Sequence, residues 1–244
     1  MNRRGVIEAA AGLAAASLVA GPCRSATEAA QRPAATGPGD STSYSTAFGG
    51  VENPIDDGGR WTNGKAVGLD WQDVQSLSGR ACASVLSGTG RSRYDDSIAV
   101  LKGNFPADQY AQGTVYRAPH YLPIASHEIE LLLRFKITPR VARGYEVLWA
   151  HNGVLNIVRW NGPLGDYTPI LHPDGVLIGP PVDGDVLRAE IVGTRIRVVR
   201  NGSLVASRPA TTWRDGSPGV GFWPLASARP QDYGWKRFEA AHLA

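Results

Sequence analysis

Residues 127–139 alternate between apolar and polar side chains along most of their length. This period of two is typical of a β-strand whose apolar side faces a core. One side of the predicted strand carries Ile129, Leu131, Leu133, Phe135 and Ile137, and the other carries Glu128, Glu130, Leu132, Arg134 and Lys136.

Further strand patterns follow one another with turn residues between them. Residues 186–192 and 195–200 alternate in the same way, with Leu187, Ala189, Ile191, Ile196 and Val198 predicted to face inward. The Asn201-Gly202 pair then predicts a two-residue hairpin turn. Other segments with strand composition are residues 44–48, 97–101, 110–116, 145–149, 154–160, 204–207 and 235–239.

These patterns define the fold class. The chain has 244 residues, with 29 Gly, 17 Pro and 43% hydrophobic residues. Such a composition supplies both a core and many turns, and few segments carry a helical period. Many antiparallel strands in one chain must close a barrel or stack as two sheets. We therefore predict an all-β, two-sheet antiparallel β-sandwich.

Charge and hydropathy exclude two classes of protein. The formal net charge is only +3, which is too small for a protein that neutralises many phosphates, so no nucleic-acid partner is predicted. Beyond the N-terminus there is no uncharged apolar run of about 18 residues, so no membrane span is predicted.

The first residues have the pattern of a targeting sequence. Arg3 and Arg4 precede an Ala-rich apolar stretch and then small residues, which is the order of an export signal. The two arginines are similar to a twin-arginine signal, and an ordinary Sec signal is the alternative. We predict a signal peptide over residues 1–29 and a periplasmic or secreted protein.

Domain boundaries follow from composition. Residues 30–43 are rich in Pro, Gly, Ser, Thr and Ala and are predicted to be a flexible linker, and residues 44–244 a single sandwich domain. Removal of the signal leaves Cys82 as the single cysteine. We expect this residue to be a small buried hydrophobe, because one cysteine cannot form an internal disulfide.

The order of these features resembles the concanavalin A-like lectin and glucanase superfamily, including its laminin-G-like jelly rolls. The resemblance implies that the first and last strands lie together, pairing the Phe48 region with the Phe238 region. It also implies a carbohydrate ligand. The segments on which the resemblance rests are Phe48 with Trp61, Asp108-Gln109-Tyr110, residues 128–135, Gly144-Tyr145-Glu146, and the stretch from Asp183-Gly184-Asp185 through Asn201-Gly202 to Gly219-Val220-Gly221.

Glu128-Ile129-Glu130 resembles the start of the catalytic strand of the superfamily's endoglucanases, which carries three acidic residues. In this sequence Leu132 occupies the third of the alternate positions. If the pattern is shifted by one residue, Leu133 occupies it. Because the pattern lacks its acid, we expect no such hydrolase. The alternative is that both glutamates are exposed and paired with cross-strand arginines such as Arg188 or Arg197.

A cluster of residue types suited to sugar recognition lies between residues 130 and 167. Aromatic rings offer flat apolar faces, arginine offers a planar fork, and amides and carboxylates bind hydroxyl groups. Trp149 and Trp160 are also suited to a core. The candidate carbohydrate-binding residues are Glu130, Arg134, Tyr145, Trp149, His151, Arg159, Trp160, Asn161 and Tyr167.

The predicted function is carbohydrate binding, with a polysaccharide or glycan as partner. One alternative is a polysaccharide-degrading enzyme, a lyase before a hydrolase, in which Arg134 or Arg159 neutralises a uronate and a Tyr or His acts as base. Another is a structural or adhesion domain without a small ligand. No cofactor is predicted, and no metal, because the Asp95-Asp96 and Asp183-Gly184-Asp185 segments lack the alternating carboxylates of a calcium loop.

Overall fold

The computed structural model describes residues 43–84, 96–120, 127–163, 165–224 and 229–243. The predicted signal peptide and nearly all of the predicted linker lie outside these residues. No helix within the described ranges is both long and apolar enough to span a membrane.

The described chain is built of β-strands, with two short 3-10 turns at Lys65–Val67 and Pro230–Asp232. The strands are β1 Ser43–Thr46, β2 Val51–Glu52, β3 Trp61–Asn63, β4 Val74–Leu77, β5 Ala81–Ala83, β6 Ser97–Leu101, β7 Gln109–Arg117, β8 Glu128–Thr138, β9 Val141–Ala150, β10 Val154–Gly162, β11 Tyr167–Pro169, β12 Val176–Leu177, β13 Val186–Val192, β14 Arg195–Arg200, β15 Ser203–Pro209, β16 Ser217–Trp223 and β17 Tyr233–His242.

The strands form two antiparallel sheets. The nine-stranded sheet has the order β15-β14-β13-β7-β17-β5-β4-β2, and β1 also pairs with β17. The eight-stranded sheet has the order β11-β10-β9-β8-β16-β6-β3, and β12 also pairs with β10. Thr46 of β1 lies opposite Phe238 of β17, which confirms that the two ends of the domain pair. The predicted two-sheet sandwich is confirmed.

The main core lies between the two sheets. Ile129, Leu131 and Leu133 of β8 pack there with Trp235 and Phe238 of β17, all of them buried. Each fully buried side chain of this size is worth about 1.5–3 kcal/mol relative to an exposed one, so this layer supplies the main stabilisation of the fold.

The predicted alternation holds for the first part of β8 and then changes face. Arg134 has φ 47, and the pairing of β8 with β9 shifts between Leu133 and Lys136. This bulge places Phe135 in a second apolar cluster outside the sandwich, with Ile137 packed against it. The prediction that both face the inter-sheet core is therefore wrong, because one inserted residue reverses the faces that follow it.

The meander from β13 to β15 agrees with its pattern. Leu187, Ala189 and Ile191 of β13 and two β14 residues, Ile196 and Val198, belong to the inter-sheet core. The turn residues Asn201 and Gly202 have φ 48 and 82, as a two-residue primed turn requires. Cys82 is fully buried, as expected.

Candidate functional site

Three glutamates meet on the outer face of the eight-stranded sheet. Glu128 and Glu130 lie on β8, alternating with Ile129 of the core, and Glu146 lies on the neighbouring β9. One carboxylate oxygen from each lies within 4.8 Å of one from each of the others. All three side chains are buried.

The expectation that Glu128 and Glu130 are exposed and paired with Arg188 or Arg197 is wrong. Those arginines lie in the other sheet, within reach of Glu190.

A segment of the chain covers part of this face. Residues 64–72 fold over the outer face, where Leu69 and Trp71 pack against Leu132 and Trp160. The Trp71 and Trp160 rings meet edge to face with centroids 4.6 Å apart. Backbone hydrogen bonds from Gly64 N to Ile98 O and from Gln72 N to Asp96 O fix the two ends of the segment. The outer face is therefore filled at Trp160, one of the candidate carbohydrate-binding residues.

Two contacts position Glu146 and Glu130 on this face. The Nε1–H of Trp160 donates a hydrogen bond to Oε2 of Glu146 at 2.7 Å. Gly221 of β16 lies opposite Glu130 and contributes no side chain, which leaves room for the Glu130 carboxylate. Three oxygen ligands so arranged suit a hard cation, although calcium takes six to eight.

Sequence reasoning missed two members of this face. Glu146 belongs to the Gly144-Tyr145-Glu146 segment, but alternation along one strand does not show that it faces the glutamates of the next. Trp71 lies between two predicted strands, in a segment without a strand pattern. Glu146 lies opposite Leu132, so the third carboxylate of this cluster belongs to the adjacent strand.

Three of the nine candidate residues face the inter-sheet core instead. Tyr145, Trp149 and His151 are buried. The Tyr145 hydroxyl accepts hydrogen bonds from the backbone N–H groups of Thr212 and Trp213, at 2.9 and 3.0 Å. Trp149 donates its Nε1–H to the carbonyl of Gly179.

His151 lies at the end of the core beside two other rings. Tyr233 meets it edge to face with centroids 5.5 Å apart, and Tyr233 also stacks on His127 at 6.4 Å. Burial, helped by the charge of Arg117 and by His127, lowers the pKa of His151 to about 4. The ring is therefore neutral at pH 7.

Arg134 is also buried, at the bulge of β8. Its guanidinium donates to the carbonyls of Ala107, Trp213 and Gly193 and to Oδ1 of Asp108, at 2.7–3.2 Å. Burial lowers the pKa of the guanidinium, and Asp108 opposes that shift. These contacts fix three loops at one end of the sandwich.

Two further candidates, Arg159 and Asn161, belong to a partly open polar surface at the β10–β11 edge of the eight-stranded sheet. Arg159 and Asn161 are half-buried, and Arg159 Nε donates to Oδ1 of Asn161 at 2.7 Å. Arg159 also reaches the hydroxyls of Thr168 and Thr212, both at 3.2 Å. Asn161 Nδ2 donates to Asp166 at 2.8 Å.

Tyr167 borders this edge on its outer side. Its ring packs 5.3 Å from that of Trp160 and is half-buried. Among the nine candidates, the structure brings Arg159 and Asn161 into contact with each other and Tyr167 into contact with Trp160. It leaves Glu130 on the covered face, and Arg134, Tyr145, Trp149 and His151 in buried packing.

Comparison with known proteins defines the fold. The chain has the concanavalin A-like jelly-roll fold. It is similar to the potassium-bound carbohydrate recognition domain of Emp46p, with TM-score 0.52 and 10% identity over 82% of this chain and 99% of that one. No family model and no curated protein matches the sequence.

Two other solved structures have lower scores. One is the carbohydrate-binding module CBM66 from Bacillus subtilis, with TM-score 0.47, 13% identity and coverage of 74% and 90% of the two chains. The other is a prokaryotic β-1,3-1,4-glucanase (lichenase) derived from a mouse hindgut metagenome, with TM-score 0.49, 9% identity and coverage of 82% and 96%. At these identities the likeness concerns the fold alone.

Proposed function

We propose that this chain is an exported carbohydrate-binding protein whose ligand is a polysaccharide or glycan. The observation that carries the proposal is the partly open polar edge made by Arg159, Asn161, Asp166, Thr168 and Thr212. A guanidinium, an amide, a carboxylate and two hydroxyls lie there within one hydrogen-bonded network. Such groups both donate to and accept from sugar hydroxyls.

An aromatic side chain next to this edge completes the set. Trp213 is half-buried, its Nε1–H donates to the carbonyl of Trp160, and Arg143 lies 4.6 Å from its ring centroid. The ring is therefore held in one orientation beside Thr212. Held aromatic rings lose little entropy when a sugar ring packs against them.

The test is a glycan array followed by calorimetry on the glycans that bind. We expect Arg159→Ala to weaken binding at least tenfold, because it removes donors to Asn161, Thr168 and Thr212 that hold the edge. Arg197→Ala is the matched control, since Arg197 is an exposed arginine on the other sheet. Silence on the array, or equal affinities for both variants, would reject this proposal.

A second candidate function is glycoside hydrolysis, favoured by the three glutamates. Retaining glycosidases hold two carboxyl groups roughly 5–5.5 Å apart, one as nucleophile and one as acid. The carboxylates of Glu128, Glu130 and Glu146 meet within a similar distance. Substrate access to Glu146 would require this face to open at Trp160, which donates to Glu146 and packs against Trp71.

This second candidate is tested by reducing-sugar release from β-glucans and other neutral polysaccharides. If it is right, Glu130→Gln and Glu146→Gln each lower the rate at least 100-fold. Glu239→Gln, on the other sheet, keeps it. No release by the wild-type protein removes the candidate.

The lyase alternative receives less support from the geometry. Arg134 commits its guanidinium to three carbonyls and Asp108, and the Tyr145 hydroxyl binds two backbone N–H groups. Neither is therefore placed to neutralise a uronate or to take its proton. If no glycan binds on the array and no polysaccharide is cleaved, the remaining function is that of a structural or adhesion domain without a small ligand.

Export is a separate part of the proposal and has its own experiment. Fractionation of cells expressing the full chain should place the protein outside the cytoplasm, and deletion of residues 1–29 should retain it inside. Replacement of Arg3 and Arg4 by Lys blocks the twin-arginine route and leaves Sec export intact. Retention of the full chain in the cytoplasm would contradict export.

A further inference from the structure

A second open groove lies at one end of the nine-stranded sheet, on its outer side. The end of β7 contributes Tyr116 and Arg117, the turn before β13 contributes Val182 and Asp183, and β17 contributes Lys236. The groove encloses about 580 Å³, within the range of about 300–1,000 Å³ typical of ligand sites. None of the sequence-predicted site residues lines it.

Cations outnumber anions in this groove. Lys236 Nζ lies 3.0 Å from Oδ2 of Asp183, and Oδ1 of the same carboxylate accepts the backbone N–H of Arg117 at 3.1 Å. Arg80 stacks over the Tyr116 ring with 4.5 Å to its centroid. Among the lining residues, one carboxylate therefore accompanies two basic side chains, Arg117 and Lys236, with Arg80 at the margin over Tyr116. This leaves an excess positive charge for an anionic ligand.

The cations are held in place by the fold. Arg117 donates one Nη1–H to the carbonyl of Pro181 at 3.2 Å, and Arg80 donates its Nε–H to the carbonyl of Gln231 at 2.7 Å. Each guanidinium keeps further N–H donors beyond these contacts. A fixed fork loses little freedom when it binds a planar carboxylate in bidentate geometry.

Apolar surface lies next to the charges. Val182 is 54% exposed, and Pro119 lies exposed at the groove wall beside the buried Ala118. A sugar ring presents C–H groups on its faces, whereas a free phosphate or sulfate has no apolar part to cover such a wall. The combination therefore suits an acidic sugar better than an inorganic anion.

We propose that this groove binds a uronate-bearing polysaccharide, with the uronate carboxylate on Arg117 and Lys236 and the sugar ring against Val182 and Pro119. The inference rests on the proposed function for its ligand class, carbohydrate. It names a different site and the acidic members of that class. It also gives the chain two separate sugar-contacting surfaces, one on each sheet.

The test is calorimetry with oligogalacturonate and with its methyl ester, which has the same backbone without the charge. We expect the acid to bind at least tenfold more tightly than the ester. Lys236→Met should weaken acid binding at least tenfold. Lys136→Met is the matched control, because Lys136 is also a partly exposed lysine paired with an aspartate, Asp215, but lies on the other sheet. The melting temperature of each variant verifies folding.

Several outcomes would overturn the inference. Equal binding of acid and ester, or an unchanged affinity in Lys236→Met, removes the groove as a uronate site. Equal binding of DNA and oligogalacturonate shows a charge-only surface and also rejects it. Binding of neutral glycans that depends on Arg159, without uronate binding, rejects the groove and leaves the proposed function. Uronate binding that depends on Lys236, with no effect of Arg159→Ala on any glycan, supports the groove and rejects the β10–β11 edge as a binding site.

Discussion

Gly221 lies directly opposite Glu130 across the β8–β16 pair, and a Cβ atom at the glycine would stand 2.2 Å from Oε2 of the glutamate. Gly221→Ala must therefore displace a buried carboxylate. We expect a loss of roughly 2 kcal/mol or more in the free energy of unfolding, measured by urea denaturation.

Gly49→Ala is the control for that substitution, since nothing lies within 4 Å of its Cβ position and its φ is not positive. We expect a change within about 0.5 kcal/mol. A similar loss in both variants would show that the general cost of adding a methyl group, and not the contact with Glu130, sets the effect.

The two tryptophans that meet on the covered face differ in their hydrogen bonds. Trp160 Nε1 donates to Glu146, whereas Trp71 Nε1 is buried without a partner among the described residues. Trp160→Phe should cost about 2 kcal/mol more than Trp71→Phe, because it removes a bond to a buried carboxylate. Paired urea denaturation curves measure this difference, and equal losses would contradict the assigned bond.

Acid should destabilise the protein through His151. Its pKa is lowered to about 4 in the fold, mainly by burial, against about 6.5 in an unfolded chain. Between these values the unfolded state binds a proton that the folded state rejects, so stability falls as pH decreases from about 6.5 to about 4, by up to about 3 kcal/mol.

Replacement tests that dependence. His151→Gln should remove much of the slope of stability against pH in this window, whereas His172→Gln should leave it, because His172 is exposed. Urea denaturation at half-unit pH steps measures both. An unchanged slope in His151→Gln would assign the acid sensitivity to other groups.

Cys82 should be unreactive in the native protein. The side chain is fully buried, and burial raises the pKa of its thiol to about 12. In a Cys23→Ser variant it is the single thiol of the chain. A disulfide reagent should react at the rate of unfolding in buffer and within seconds in urea, because only the exposed thiolate is the nucleophile. Fast native labelling would contradict this burial.

Most of the fold could be predicted from the alternating strand patterns. Leu187, Ala189 and Ile191 alternate with polar residues because β13 has one core-facing side, and this is a local property of the chain. The bulge at Arg134, in contrast, involves a contact with a distant part of the chain. At this bulge the backbone of Gly216 approaches so closely that a Cβ atom there would lie 2.3 Å from the carbonyl carbon of Arg134. The two residues lie far apart in sequence, so alternation alone could not reveal the change of face.

The site was harder to predict for the same reason. The alternating pattern of β8 predicts that Glu130 is exposed, because polar side chains in a strand usually face solvent. It is instead buried beside Glu128 and Glu146, on a face that is partly covered by a segment with no strand pattern. That segment folds over the sheet from elsewhere in the chain, so alternation along β8 gives no sign of it. Trp149 has apolar neighbours on both sides of its strand, so its direction is set by the register of β9 with β8.

The position of β17 has a consequence for how the molecule is made. This last strand pairs with β1, β7 and β5, and it joins the two halves of the nine-stranded sheet. Until β17 has been synthesised, β5 and β7 each keep an open hydrogen-bonding edge. The sheet is therefore closed by pairings between residues far apart in sequence, and a chain shortened before Tyr233 would retain exposed edges open to aggregation.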